Sequence, residues 1–197
     1  MTLQMRIDVA EEPMTALSEY ARVPIAFLVD RVLDVTTRDD GTFGLSAREL
    51  EIPYVKDYDT IDGEGPSHWP RRFDVSNWVL FAARVEGLRV GGAAIAFNTP
   101  GLPLLEGRRD LSVLWDIRVA PDARGKGIGS ALFERVEVWA KANGCRQLKI
   151  ETQNVNVRAC DFYARHGCEL RVVHHAAYPE LPEETQLLWY KDLRIGS

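Results

Sequence analysis

The chain has 197 residues, 46% of them hydrophobic and 27% charged, with a formal net charge of −5. It is long enough to bury one sizeable core, and its negative balance argues against a nucleic-acid binder while suiting a cationic small molecule. Three cysteines, Cys145, Cys160 and Cys168, form no C-x-x-C pair, so reduced, buried thiols are expected rather than disulfides or a zinc site.

Acidic residues come early, at Asp8, Glu11 and Glu12, with no basic region and apolar core, so no signal peptide is expected. No apolar run approaches the roughly 20 residues of a spanning helix. The expectation is a cytoplasmic protein without a membrane or nucleic-acid partner, with homodimerisation left open.

In chain order, Met1 to Tyr20 is weakly patterned, with a short helix expected over Pro13 to Tyr20. Ile25 to Thr37 is rich in β-branched residues, and Phe43, Leu45 and Ala47 alternate after Asp39-Asp40-Gly41, which predicts a hairpin. Pro53 to Asn77 reads as a long polar connection carrying Asp57, Asp59, Asp62 and Glu64, then His68-Trp69-Pro70-Arg71-Arg72. Connections of that length often bind ligands or act as lids. Trp78 to Val85 and Val90 to Phe97 predict a second hairpin turning at Glu86-Gly87, with Gly91-Gly92 marking a bulge or a close backbone approach. Asn98 to Asp110 is a loop.

The chain's organising stretch follows. An apolar run from Leu111 to Val119 stops at Pro121, three glycines come within five residues (Gly125, Gly127, Gly129), and a long amphipathic segment starts at Ile128. That is a strand, a tight turn and a helix. Glycine permits positive φ and close backbone approach, and the helix start presents unpaired N–H donors at the positive end of its dipole. Such a corner binds phosphate. A P-loop is excluded because no Ser or Thr follows Lys126, and a dinucleotide fingerprint because Ser130 stands where its third glycine would be.

Ile128, Leu132, Phe133, Val136, Trp139 and Ala140 recur at helical spacing up to Asn143-Gly144, and Gln147 to Thr152 reads as a strand. Leu111 to Thr152 is therefore expected to be a parallel, right-handed strand-helix-strand crossover. Asn154 or Asn156 caps a second helix that stops at Gly167, and Arg171 to His175 and Thr185 to Lys191 close the chain as antiparallel strands.

What remains at the corner is R-x-x-G-x-G, Arg124 to Gly129, which resembles the pyrophosphate-binding signature of the GNAT N-acetyltransferases. A second motif, Ile150 to Cys168, is similar to their strand-helix segment through Asn156, Ala159 and Tyr163. The form E-T-Q-x-x-N-x-x-A-C-x-F-Y resembles the streptothricin acetyltransferases in particular, as do Leu45-Ser46-Ala47-Arg48, Pro53 to Tyr58, and Glu184 to Tyr190. Those enzymes carry a glutamate where Trp115 stands, and their stretch after Tyr58 is more acidic. Ser67 to Arg72 and Leu102 to Asp110 look like additions.

The resemblance implies one GNAT domain over residues 1–197, with an N-terminal extension at 1–24 and an acetyl-CoA core at about 111–167. The implied fold is a mixed α/β (α+β) one: a mostly antiparallel central sheet with a parallel strand-helix-strand core, flanked by helices. The implied co-substrate is acetyl-CoA, with no metal. Its diphosphate would lie on Arg124, Gly125, Lys126, Gly127, Ile128, Gly129 and Ser130, and its pantetheine arm along the backbone of Ile117, Arg118 and Val119 and beside Asn156. Tyr163 is the implied general acid, against a plain reading as a packed helix tyrosine. Asp116 and Glu151, on the two strands of the crossover, are the candidate bases, each with a bland reading as a capping or backbone-orienting acid. Asp57, Asp59 and Asp62 are the candidate receivers of a cationic amine, or merely a solvated charged loop. His68, His174 and His175 lack partners at metal-ligand spacing, and Cys160 reads as core. Other acceptors, such as a peptide N-terminus or a polyamine, and a non-catalytic acyl-CoA-binding module stay open.

Overall fold

The computed structural model describes residues 6–193. In chain order they form β1 (Ile7–Glu12), α1 (Leu17–Tyr20), β2 (Phe27–Thr37), β3 (Phe43–Lys56), α2 (Trp69–Arg72), β4 (Val79–Val85), β5 (Leu88–Phe97), β6 (Leu111–Val119), α3 (Ile128–Ala142), β7 (Gln147–Gln153), α4 (Val157–Arg165), β8 (Glu169–His174) and β9 (Gln186–Asp192). Short 3₁₀ turns punctuate the connections. The pairing is mostly antiparallel with one parallel pair, a mixed α/β arrangement as expected.

Two compact units divide these elements. The first comprises residues 6–26, 57–148 and 193. Its strands lie in the order β1-β4-β5-β6, followed by the first residues of β7. β1 pairs antiparallel with β4 from Ile7 opposite Val85 to Glu12 opposite Leu80. Glu12 receives hydrogen bonds from Arg84 and Arg89. The β4–β5 turn takes positive φ at both Glu86 and Gly87, the twist that suits a two-residue hairpin. α3 lays Ile128, Leu132, Phe133, Val136 and Ala140 on this sheet, all buried at the helical spacing the sequence displays.

Gly91 and Gly92 do both things expected of them. The β4–β5 register slips between Ala83 and Arg84, a bulge. A Cβ on Gly92 would lie 2.7 Å from the Tyr20 ring and 2.7 Å from the Phe81 carbonyl oxygen. Only glycine leaves room for Tyr20, which is fully buried.

The second unit comprises residues 27–56 and 149–192. It holds the β2–β3 hairpin, a separate two-stranded sheet, and the strand order β7-β9-β8. Val29 and Val32 pack with Val155, and Leu33 and Asn154 exchange hydrogen bonds that fix the hairpin to the segment after β7. β8 and β9 are antiparallel, as expected.

Three differences from the sequence reading have physical causes. β1 falls where no element was expected, because its six residues carry only a partial alternation and are held as an edge strand by pairing with β4. β3 runs to Lys56 rather than ending before Pro53. Its pairing jumps from Val29–Tyr54 to Arg31–Glu49, so Pro53 sits in a bulge where no ladder N–H is required. The connection after Asp57 is not structureless, since 3₁₀ turns at Tyr58–Thr60 and Pro66–His68 and the short helix α2 fold it onto a core cluster.

Candidate active site

The glycine corner is built of backbone. Gly125 and Gly127 have φ of 75° and 84°, in the left-handed region where a branched residue is strained. A Cβ on Gly125 would meet no atom within 4 Å, and one on Gly127 only Ile7 Cδ1 at 4.0 Å. Protein crowding therefore does not demand these glycines. Positive φ does, and it leaves open space over the turn. Gly127 is the N-cap of the 15-residue α3, no side chain caps it, and its first turn contains no acid. The first N–H groups of such a helix have no intrahelical acceptor, so the corner offers donors to an anion.

Arg124 holds the corner in shape. Its guanidinium donates to the Val119 carbonyl at 2.9 Å and to the Ala26 carbonyl at 2.9 Å. Lys126 Nζ donates to the Asp122 carbonyl at 2.8 Å and is exposed. Ile117, Arg118 and Val119 pair with Ala93, Gly92 and Gly91 of β5.

Just before them, β6 bulges. Asp116 stands opposite Ala94 and Leu114 opposite Ile95, so Trp115 is the extra residue. In a regular strand Trp115 and Asp116 would point to opposite faces; at a bulge both can turn to one side. Trp115 joins an aromatic group, with ring centroids 5.0 Å from Trp78, 5.1 Å from Phe73 and 6.4 Å from Trp69. Trp69 in turn lies 5.9 Å from Tyr20, whose hydroxyl donates to Asp116 Oδ1 at 2.6 Å.

Arg118 completes this cluster. Its side chain has no exposed surface, and it bonds Asp116 through Nε at 3.0 Å and through Nη2, and Asp59 through Nη1 at 2.7 Å and Nη2 at 3.2 Å. Nη1 also donates to the Val23 carbonyl, and the guanidinium lies 4.9 Å over the Tyr20 ring. Burial opposes the charge, but the Asp116 carboxylate, with Tyr20 and Asp59, more than offsets it and raises the Arg118 pKa above the usual arginine value. Burial, then the Asp116 charge, pushes the Tyr20 phenol well above its usual value, so it remains a donor. Both oxygens of Asp116 are engaged.

The acids after β3 are similarly occupied, with one exception. Asp57 accepts from the Asp59 N–H at 3.1 Å and caps the 3₁₀ turn. Asp59 pairs with Arg118, and Glu64 with Arg72 at 2.7 Å. Asp62 is exposed.

In the second unit, Asn156 rather than Asn154 caps α4, accepting from the Ala159 N–H at 3.2 Å. Asn154 instead bridges the Leu33 carbonyl and the Thr185 N–H. Tyr163 is buried on α4, its ring 5.5 Å from Phe162, one turn before Gly167 ends the helix at φ 75°. Cys160 is buried too, and burial pushes its thiol up to about 12, which removes it as a nucleophile. Glu151 is half-buried on β7 and accepts from Tyr178 Oη at 2.5 Å. Neither Tyr178 nor Tyr20 lies in a motif, so their contacts with Glu151 and Asp116 were not legible in the sequence. Among the described residues no cluster of His, Cys, Asp and Glu could hold a metal, and no helix is long and apolar enough to cross a membrane.

A positive-φ glycine turn that opens a long helix beside a mixed sheet offers backbone donors to an anion. Residues 47–168 match the GNAT acetyltransferase family, and the chain belongs to that family. It is 31% identical to streptothricin acetyltransferase A of Bacillus subtilis, over 77% of this chain and 81% of the relative. To the streptothricin acetyltransferase of Escherichia coli it is 30% identical, over 83% and 84%. Nourseothricin acetyltransferase has a similar fold, with a TM-score of 0.73 at 24% identity over 95% of this chain and 99% of the other. A Bacillus anthracis protein provisionally named a streptothricin acetyltransferase, solved in complex with acetyl coenzyme A, gives 0.76 at 20% identity over 95% and 99%. The protein is thus an acetyl-CoA-dependent acetyltransferase close to the streptothricin acetyltransferases.

Proposed function

We propose that this enzyme transfers the acetyl group of acetyl-CoA to a primary amine of a cationic small molecule, with a streptothricin-type antibiotic as the leading acceptor. The similarity to streptothricin acetyltransferase A over most of both chains carries this reading. The open glycine corner supports the choice of co-substrate, because its donors suit a diphosphate.

Acetyl-CoA supplies an acetyl group activated as a thioester. The N–H groups of residues 125–130 bind the diphosphate, and the backbone of Ile117 to Val119 holds the pantetheine arm. An alkyl ammonium with a pKa of about 10.4 is free amine in about one molecule in a few thousand at pH 7, so a base beside it helps. Of the two candidate carboxylates we favour Glu151. Asp116 has both oxygens on Arg118 and Tyr20, whereas Glu151 Oε2 has no hydrogen-bond partner among the described residues. Tyr163 supplies the proton that the departing sulfur takes up, as the matching tyrosine does in the family it resembles. The amine attacks directly, without an acyl-enzyme.

One observation favours a different amine. Trp115 stands where the enzymes this chain resembles carry a glutamate, and it is packed among Trp69, Phe73 and Trp78. Without that glutamate, an acceptor less charged than a streptothricin is the second reading. Acetyl-CoA turnover against a panel of streptothricin, polyamines, peptide N-termini and neutral amines, read by product mass, separates these. Acetylated streptothricin is expected; turnover of neutral amines alone would overturn the cationic reading.

A further inference from the structure

Glu151 and Gln153 project from the same face of β7, two residues apart, and both reach Tyr178 in the connection between β8 and β9. Gln153 Nε2 donates to Tyr178 Oη at 3.0 Å. A phenol has one proton to give, and here it goes to Glu151 Oε1 at 2.5 Å, a short bond of the charge-assisted kind. Burial, then the Glu151 charge, raises the Tyr178 pKa well above the usual tyrosine value, so the phenol remains a donor throughout the working range. The carboxylate is thereby pinned through one oxygen. The other oxygen keeps its lone pairs.

We propose that Tyr178 is the positioning residue of the acetyl transfer, locking the Glu151 carboxylate by one oxygen so that the second is aimed at the ammonium it must deprotonate. This rests on the reading of Glu151 as base. A base held by a single rigid donor loses little orientation when the amine arrives, which is how a supporting residue raises kcat without touching the substrate. The sequence gives no hint of it, since Tyr178 is 27 residues from Glu151 in a Pro- and Glu-rich connection.

The test is a double-mutant cycle of Tyr178→Phe and Glu151→Gln on the acetyl-CoA-loaded enzyme, with the acetyl-CoA dissociation constant measured by calorimetry. Tyr178→Phe should lower kcat about tenfold, with the dissociation constant changed by less than about twofold. Glu151→Gln should cost on the order of 10² or more in kcat, and the double variant should be no slower than Glu151→Gln alone. Independently of turnover, the infrared carboxylate band isolated by subtracting Glu151→Gln from its parent should shift in the Tyr178→Phe background. Losses that multiply, an unmoved band, or unchanged kcat in Tyr178→Phe would overturn the positioning role. Full activity in Glu151→Gln would instead overturn the base assignment beneath it.

Discussion

Two segments expected to hold ligands are built in opposite ways. The corner at Arg124 to Ser130 presents main-chain groups at a helix start whose N-cap is a glycine, with open space above Gly125 and Gly127. The segment at Asp57 to Glu64 presents charged side chains, yet Asp57 caps a turn, Asp59 is bonded to buried Arg118, and Glu64 pairs with Arg72. A run of acids in a sequence looks like a receptor for cations until the partners are known. A run of glycines at a helix start is read from the backbone alone, because positive φ and open donors are local properties.

The sharpest way to break that contrast is at the corner. Gly127→Val places a branched side chain at φ 84° and over the donors, so acetyl-CoA affinity by calorimetry should fall at least about 100-fold, the loss of two or more charge-assisted hydrogen bonds. The thermal midpoint should drop by only a few degrees, because backbone strain there costs about 1–2 kcal/mol. Tyr163→Phe comes next. Losing one proton donor should lower kcat by about 10² to 10⁴ while the acetyl-CoA dissociation constant stays within about twofold; near-normal turnover at every pH would make Tyr163 a packing residue.

Neutralising the acids one at a time sharpens the other side of the comparison. Asp59→Asn removes a charge from Arg118 and should show itself in unfolding, with about 1–2 kcal/mol lost in denaturant titration. Asp62→Asn should leave stability alone and raise the apparent KM for a cationic amine about two- to fivefold, less in added salt, since an exposed charge is worth little and is screened. If Asp59→Asn changes KM and not stability, the segment is a receptor after all.

The smallest effect is one of pH. Burial works against the Glu12 carboxylate, but the hydrogen bonds from Arg84 and Arg89 prevail and hold its pKa below 4.5. A depressed carboxylate adds stability above its unfolded value and loses it as pH falls through the folded one. The drop in thermal midpoint between pH 7 and pH 3 should therefore be shallower in Glu12→Gln than in the parent protein.

The same contrast explains what could be read in advance. Elements defined by local rules were legible: the Gly125–Gly129 turn, α3 with its apolar spacing and Asn143-Gly144 stop, an asparagine cap on α4 at Asn154 or Asn156, and the hairpin turn at Glu86-Gly87. Features made by distant residues were not. Tyr20 reaches Asp116 across 96 residues and Tyr178 reaches Glu151 across 27, and no periodicity records either meeting. Trp115 could be noticed as a departure from related enzymes, but its placement depends on a bulge set by pairing with Ala94 and Ile95. Arg118 was assigned to the ligand through its backbone, and its side chain proves to hold the Asp59 segment.

The most direct measurement is a titration of isotopically labelled protein with acetyl-CoA, following backbone amide resonances. The account predicts the largest shifts at the amides of residues 125–130, with those of Asp57 to Glu64 nearly still. Saturable binding that leaves the amides of 125–130 unmoved would contradict it.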